Sequence, residues 1–265
     1  MYRIFHSGSS SHNTRNAKMI PKRISSLPIV WECRKLALYS ISTVKSMIRF
    51  RNFFLIGDAF KYFPTWWKYQ QKNNEPLKND FPWIVFEAAE YLRRILHKDM
   101  VVFEYGSGSS TLFFSRRVSH IFSMEHDSSW YNHLSQIITD QKIKNVDHRL
   151  IECMENIANK PSEYLSSSTL YKGKCFESYV KSIDAFPDHY FDVVLVDGRS
   201  RNACIAHAKD KVKQGGYLIV DNSDREYYLD KNDFLRDTKE WNSIHFIGPV
   251  PYSFEFSRTS FFQKL

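Results

Sequence analysis

Val101-Val102-Phe103-Glu104-Tyr105-Gly106-Ser107-Gly108-Ser109-Ser110-Thr111 decides the fold. An apolar run ends in an acid, a turn with two glycines follows, and then a stretch suited to a helix start. The spacing predicts a strand over 100–105 and a helix over 109–118. Glycines in such a turn let backbone come close to a neighbour or ligand, and the helix start offers N–H groups without intrahelical partners.

The alternation continues on either side. Upstream, Trp83, Ile84, Phe86, Ala89, Leu92, Ile95 and Leu96 recur at helical spacing after Pro82. Downstream, strands are expected over 121–124, 146–153, 191–196 and 217–220, with helices over 128–138 and 202–212. Phe191–Val196 is apolar but for Asp192, as in a strand buried on both faces. The expected fold is a Rossmann-like, doubly wound, mostly parallel α/β sheet. The tail differs, because 243–247 and 259–263 flank a Gly/Pro turn and predict an antiparallel pair at the C-terminus. The polar stretch Glu155–Asp188 is an insertion of the length that often carries function.

Charge divides the chain. Residues 1–57 contain ten Lys/Arg and a single acid, Glu32, for a charge of +9. The other residues carry 27 basic and 28 acidic side chains, so the net +8 resides in the N-terminal segment. We expect a basic extension with helical pieces over 1–80, broken at Gly57 and Pro64, and the main domain over 81–265. Residues 1–27 are polar, Ser-rich and acid-poor, as in an organelle transit peptide. Leu36, Leu38, Ile41, Val44, Met47 and Ile48 on a basic background fit peripheral contact with an anionic membrane; a solvated tail followed by packing helices is the simpler account. No apolar run reaches the roughly 18 residues of a transmembrane helix. Cys33, Cys153, Cys175 and Cys204 form no C-x-x-C pair, and a reducing, cytoplasmic setting is expected.

Glu125 lies 17 positions beyond Gly108, at the end of the next strand. Ligands of such sheets bind beyond the carboxyl ends of the strands, where an acid in this place meets ribose hydroxyls. A dinucleotide reading needs a third glycine, and position 111 is threonine. On Glu104-Tyr105-Gly106-Ser107-Gly108 and on Glu125, the sequence resembles the class I S-adenosylmethionine-dependent methyltransferases over Pro82–Leu265. The resemblance implies that Glu104 reaches the methionine part of the cofactor. It implies that Tyr105, Gly106, Ser107 and Gly108 underlie the cofactor and that Glu125 holds the ribose; His126, next in the chain, is the candidate to stack near the adenine.

Asp197 closes the apolar run at 191–196, and Asp221-Asn222 closes the next, at 217–220. Two carboxylates and a carboxamide on one rim suit a hard divalent ion. This set resembles the catechol-type O-methyltransferases, which implies Mg²⁺ held by Asp197, Asp221 and Asn222. That family has a lysine three residues after its first aspartate, and here the residue is Ser200. Arg199 and Arg201 flank it and are no bases at neutral pH, but suit an acidic substrate group; the candidate base is then Asp197 itself or a histidine such as His126. Asp197-Gly198-Arg199-Ser200 has no proline, which disfavours the Asn/Asp-Pro-Pro-Tyr/Phe chemistry of nucleic-acid amino methylation. The expected acceptor is a small molecule or glycan. The alternative is a catalytically silent chain of the same fold that docks on a membrane or partner through its basic segment.

Overall fold

The structure, a computed structural model, describes residues 28–71, 75–155, 161–166 and 169–265. The transit-peptide-like residues 1–27 lie outside them. The described residues divide into two compact units, ending at Ser40 and beginning at Ile41. The first is the start of helix α1 (Pro28–Arg49). The second carries the sheet.

The elements after α1 follow in chain order. They are α2 (Leu55–Tyr69), α3 (Phe86–Ile95), β1 (Val101–Tyr105), α4 (Ser109–Ser115), β2 (His120–Glu125), α5 (Ser128–Asp140) and β3 (Val146–Leu150). The insertion supplies two short strands, β4 (Met154–Glu155) and β5 (Lys174–Cys175), and α6 (Glu177–Val180). Then come β6 (Phe191–Val196), α7 (Arg201–Ala208), β7 (Val212–Val220), β8 (Trp241–Gly248) and β9 (Ser257–Lys264).

Seven strands form one sheet in the order β3-β2-β1-β6-β7-β9-β8. Pairs from β3 through β7 are parallel, and β9 runs antiparallel to both β7 and β8. The order turns back between β1 and β6, which opens the crevice where such sheets bind ligands. This is the doubly wound, mostly parallel sheet with an antiparallel C-terminal strand that the alternation predicts.

Both faces are covered. Val102, Ile121, Val193, Leu195 and Phe261 pack under α3 and α4. Phe103, Tyr105, Val194 and Val196 pack under α6 and α7. Period-two alternation therefore sends Glu104 to the α4 side and Tyr105 to the other.

Two expectations are corrected. Helix α2 runs unbroken through Gly57 and Pro64. Gly57 sits in its first turn, and the helix survives Pro64 because Trp66 and Tyr69 are anchored in aromatic contacts with Phe254, Phe81 and Tyr252. The break comes earlier, at Arg51, whose φ is 50°. The helix expected over 202–212 stops at Ala208, because Val212 pairs with Phe191 and opens β7, whose bulge turns at Gly215 with φ 78°.

Candidate functional site

The carboxyl end of β1 is tied to its neighbours through Glu104, which is fully buried. Its partner across the ladder is Ser123 on β2, which faces the same side. Oε2 accepts from Ser123 Oγ and Thr111 Oγ1, each at 2.6 Å. Thr111 Oγ1 in turn accepts from Gly108 N at 3.0 Å, which caps α4. Oε1 is buried without a hydrogen-bond partner. Burial pushes the Glu104 carboxyl up to about 7, against the hydroxyls of Ser110, Ser123 and Thr111, and the charge of Asp197 adds to the rise. A buried carboxylate with one bare oxygen attracts a cation or a proton.

The turn itself is built for close approach, and the chain makes that approach to itself. Gly106 has φ 93°, and a Cβ there would stand 2.9 Å from Gly198 Cα. A Cβ on Gly198 would stand 1.9 Å from the Tyr179 hydroxyl. The ends of β1 and β6 thus touch backbone to backbone. Tyr105, expected beneath the cofactor, turns its ring into the core, where its hydroxyl donates to Val180 O at 2.6 Å.

Glu125 lies at the end of β2 as expected, and its carboxylate is engaged by the turn. Oε2 accepts from Ser107 N and Ser107 Oγ, each at 3.0 Å. Oε1 accepts from His126 N at 2.7 Å and Asp127 N at 2.8 Å. Burial works to raise its pKa, but the His126 ring and these backbone donors outweigh it, and the net shift is downward. Ser107 carries further bonds: its carbonyl accepts from Trp130 Nε1 at 2.8 Å, and its hydroxyl meets His148 Nε2 at 3.0 Å. Burial lowers His148 to about 4, so its ring is neutral at pH 7. His126 stacks edge-on against Tyr171, Phe176 and Tyr179 of the insertion, and its Nε2 lies 3.1 Å from the Tyr171 hydroxyl. Glu104, Gly106, Ser107, Gly108, Glu125 and His126 are therefore neighbours on one rim.

Asp197, Asp221 and Asn222 also reach one rim, but a cation of the chain already sits among them. Arg201 opens α7 after Ser200, whose φ of 47° is left-handed. Its Nη2 donates to Asp197 Oδ1 and to Asp197 O, each at 2.8 Å. Its Nε donates to Gly198 O at 3.1 Å, and Nη1 donates to Asp221 O. Asp221 Oδ1 accepts from Thr259 Oγ1 at 2.7 Å, and Asn222 Nδ2 donates to Ser257 Oγ at 2.9 Å. Desolvation raises both aspartates; Asp197 adds to the rise at Asp221, and Arg201 opposes it at both.

This donor set does not fit the Mg²⁺ that the resemblance implies. A hard divalent ion takes about six oxygens, whereas Arg201 already holds Asp197 Oδ1 and Thr259 holds Asp221 Oδ1. Among the described residues no group of three or more His, Cys, Asp or Glu side chains is arranged for a metal. Arg201, expected to suit an acidic substrate group, is instead taken by Asp197 and the carbonyls of Asp197, Gly198 and Asp221; the sequence does not show that the turn at 198–200 folds it back onto the end of β6.

Asp197, Asp221, Asn222, Asp224, Trp83 and Phe256 line a cavity of about 490 Å³. Asp197 presents 26% of its side chain to solvent, whereas Asp221 is only 3% exposed.

No family model matches the chain, and no curated protein matches it. Its strand order and site residues define a Rossmann-like protein with an acidic rim at the carboxyl ends of its strands. Among solved structures, an rRNA methylase from Streptococcus thermophilus is similar at 12% identity and TM-score 0.49, covering 68% of this chain and 95% of its own. An O-methyltransferase from Bacillus cereus, in complex with SAH, is similar at 12% identity and TM-score 0.48, covering 63% and 74%. Precorrin-6y C5,15-methyltransferase from Geobacter metallireducens GS-15 is similar at 16% identity and TM-score 0.42, covering 66% and 87%.

Proposed function

We propose that the chain is an S-adenosylmethionine-dependent methyltransferase acting on an oxygen of a small molecule or glycan, with its working residues in 81–265. One observation carries the reading. Glu104 keeps a buried carboxylate oxygen without a donor beneath the Gly106–Gly108 turn, with Asp197 close enough to raise its pKa further. That environment favours a ligand with a positive centre. The bound cofactor would supply an electrophilic methyl group on a sulfonium and an ammonium at its methionine end. Glu104 would face that cationic end. Glu125 would exchange hydrogen bonds from Ser107 for bonds from the ribose, and His126 would lie against the adenine.

On the acceptor side, Asp197 lines the cavity and keeps Oδ2 outside the Arg201 bond. It is placed to accept a hydroxyl proton, and holding the acceptor oxygen in line is the other requirement. Calorimetry of the full chain with S-adenosylhomocysteine tests the reading. One molecule is expected to bind per chain, and absence of binding would refute it.

A second reading is favoured by one feature of the second unit. Ile41, Val44 and Ile48 are 51, 55 and 69% exposed, and the turn beyond them holds Phe53 at 72% and Phe54 at 88%. Lys45 and Arg51 flank this strip, and no acid lies between Glu32 and Asp58. Apolar tips on a basic background suit an anionic bilayer surface, and the chain would then dock there whether or not it turns over. No described helix is long and apolar enough to cross a membrane. The full chain is expected to float with phosphatidylglycerol vesicles and not with phosphatidylcholine alone, and Phe53→Ser with Phe54→Ser to abolish it. Equal flotation of the double variant rejects the docking.

A further inference from the structure

A second cavity, of about 410 Å³, is lined by the segment that follows Asp197. Its wall contains Arg199, Arg201, Arg225 and Lys231, with Glu163 the one acid among the lining residues. Arg201 is consumed by Asp197 and three carbonyls. Elsewhere, basic residues such as Lys211, Lys213 and Arg116 pair with Asp188, Asp192 and Asp80. Arg199, Arg225 and Lys231 have no carboxylate at ion-pair distance among the described residues.

Their side chains are nevertheless positioned. Arg199 Nε donates to His126 Nε2 at 3.3 Å, and its guanidinium lies 5.0 Å over the Tyr171 ring. Arg225 Nη1 donates to the Tyr228 hydroxyl at 3.1 Å. Each guanidinium keeps further N–H groups for a ligand. Arg199 and Arg225 feel the Asp197 carboxylate without pairing with it, and with Lys231 they surround one hollow where an anion relieves their mutual repulsion; the arginine fork matches a carboxylate or phosphate with two parallel bonds.

We propose that this cavity binds the oxyanion of the methyl acceptor, a carboxylate or a phosphate. As an acceptor anchor it rests on the methyltransferase reading; as an oxyanion site it does not. Arg225 lines both this cavity and the one that contains Asp197. An acceptor gripped here by its negative group therefore extends past Arg225 toward the Asp197 carboxylate, and a neutral sugar lacks the grip. Anchoring of this kind sets both specificity and in-line placement.

The test titrates the full chain with glucose 6-phosphate, glucuronate, inorganic phosphate and glucose, by calorimetry, at low and at physiological salt. At least one anionic sugar is expected to bind, at least tenfold more tightly than glucose, with affinity falling as salt rises. Preference for glucose 6-phosphate or for glucuronate distinguishes phosphate from carboxylate. Arg225→Gln with Lys231→Gln is expected to cut that affinity at least tenfold and to leave S-adenosylhomocysteine affinity unchanged. Arg199→Gln provides an independent loss of binding. No preference for any anion over glucose, or undiminished binding by these variants, overturns the proposal. Binding of the anion by a chain that fails to bind S-adenosylhomocysteine upholds the site and rejects the methyltransferase reading alone.

Discussion

Arg201→Met is expected to lower the unfolding free energy by about 3–5 kcal/mol, the cost typical of stripping one partner from a buried ion pair. The residue is 6% exposed, so little of the interaction is lost to solvent. Methionine fills much of the volume and supplies none of the donors. It leaves the Asp197 carboxylate without its cation and the carbonyls of Asp197, Gly198 and Asp221 without their guanidinium bonds. Burial opposes the arginine charge, but Asp197, Tyr228 and Asp221 hold it, and the net shift of Arg201 is upward. Arg201→Lys keeps the charge but lacks the planar fork, so its loss should fall between those of wild type and methionine. Urea unfolding of the three proteins measures the series. A methionine variant within about 1 kcal/mol of wild type would show that the pair has little net worth, as some buried pairs do.

Glu104→Gln is expected to make the protein more stable in mild alkali while removing its grip on a cationic ligand. The folded carboxyl sits at about 7 against an ordinary 4.5, because it is buried. Below about 4.5 both folded and unfolded chains hold the proton, and the residue imposes no penalty. As pH rises toward 7 the unfolded chain ionises first, so stability drains away across that interval. Above 7 the folded chain carries a desolvated charge, and the gap between the two values corresponds to about 3 kcal/mol. Glutamine keeps the shape and cannot ionise. It should therefore match wild type near pH 4 and exceed it at pH 8 by an amount of that order. Asp221, raised in the same direction, preserves part of the slope. S-adenosylhomocysteine should bind the variant at least tenfold more weakly, and wild type should release a proton on binding near pH 6.5, as its ammonium draws Glu104 into the charged form. Denaturant titrations at pH 4 and 8, and calorimetry in buffers of different ionisation enthalpy, read these effects. Equal stability at both pH values with unaltered binding contradicts the assignment.

The sheet was legible because its signal is local. Runs such as Val101–Phe103 and Val193–Val196 are apolar and bounded by acids or glycines, so strand ends and their acids follow from the order of residues. The parts that escaped depend on contacts distant in sequence. Gly57 and Pro64 mark a break only if nothing else holds α2, and Trp66 and Tyr69 hold it through Phe254, Phe81 and Tyr252. Val212 looks like the end of a helix until Phe191 pairs with it.

Glu104 and Glu125 were visible as acids at strand ends, but not the hydroxyls and backbone donors that claim them. Ser123 and Thr111 follow from period-two and first-turn positions once the strands are paired, whereas His148 and Trp130 reach Ser107 only through the fold. Asp197, Asp221 and Asn222 suggested a metal because oxygen ligands attract attention in a sequence. The guanidinium that holds Asp197 instead lies four residues on, across a non-helical turn, and its aim depends on the left-handed Ser200 that turns the chain there.

The contact between Gly106 and Gly198 has one more consequence. A side chain at Gly106 would meet the Gly198 backbone, where nothing is left to remove, whereas one at Gly198 would meet the Tyr179 hydroxyl first. The usual route by which packed pairs drift together, one growing as its partner shrinks, is closed at Gly106. At Gly198 it stays open through Tyr179, so the two glycines are held by different constraints.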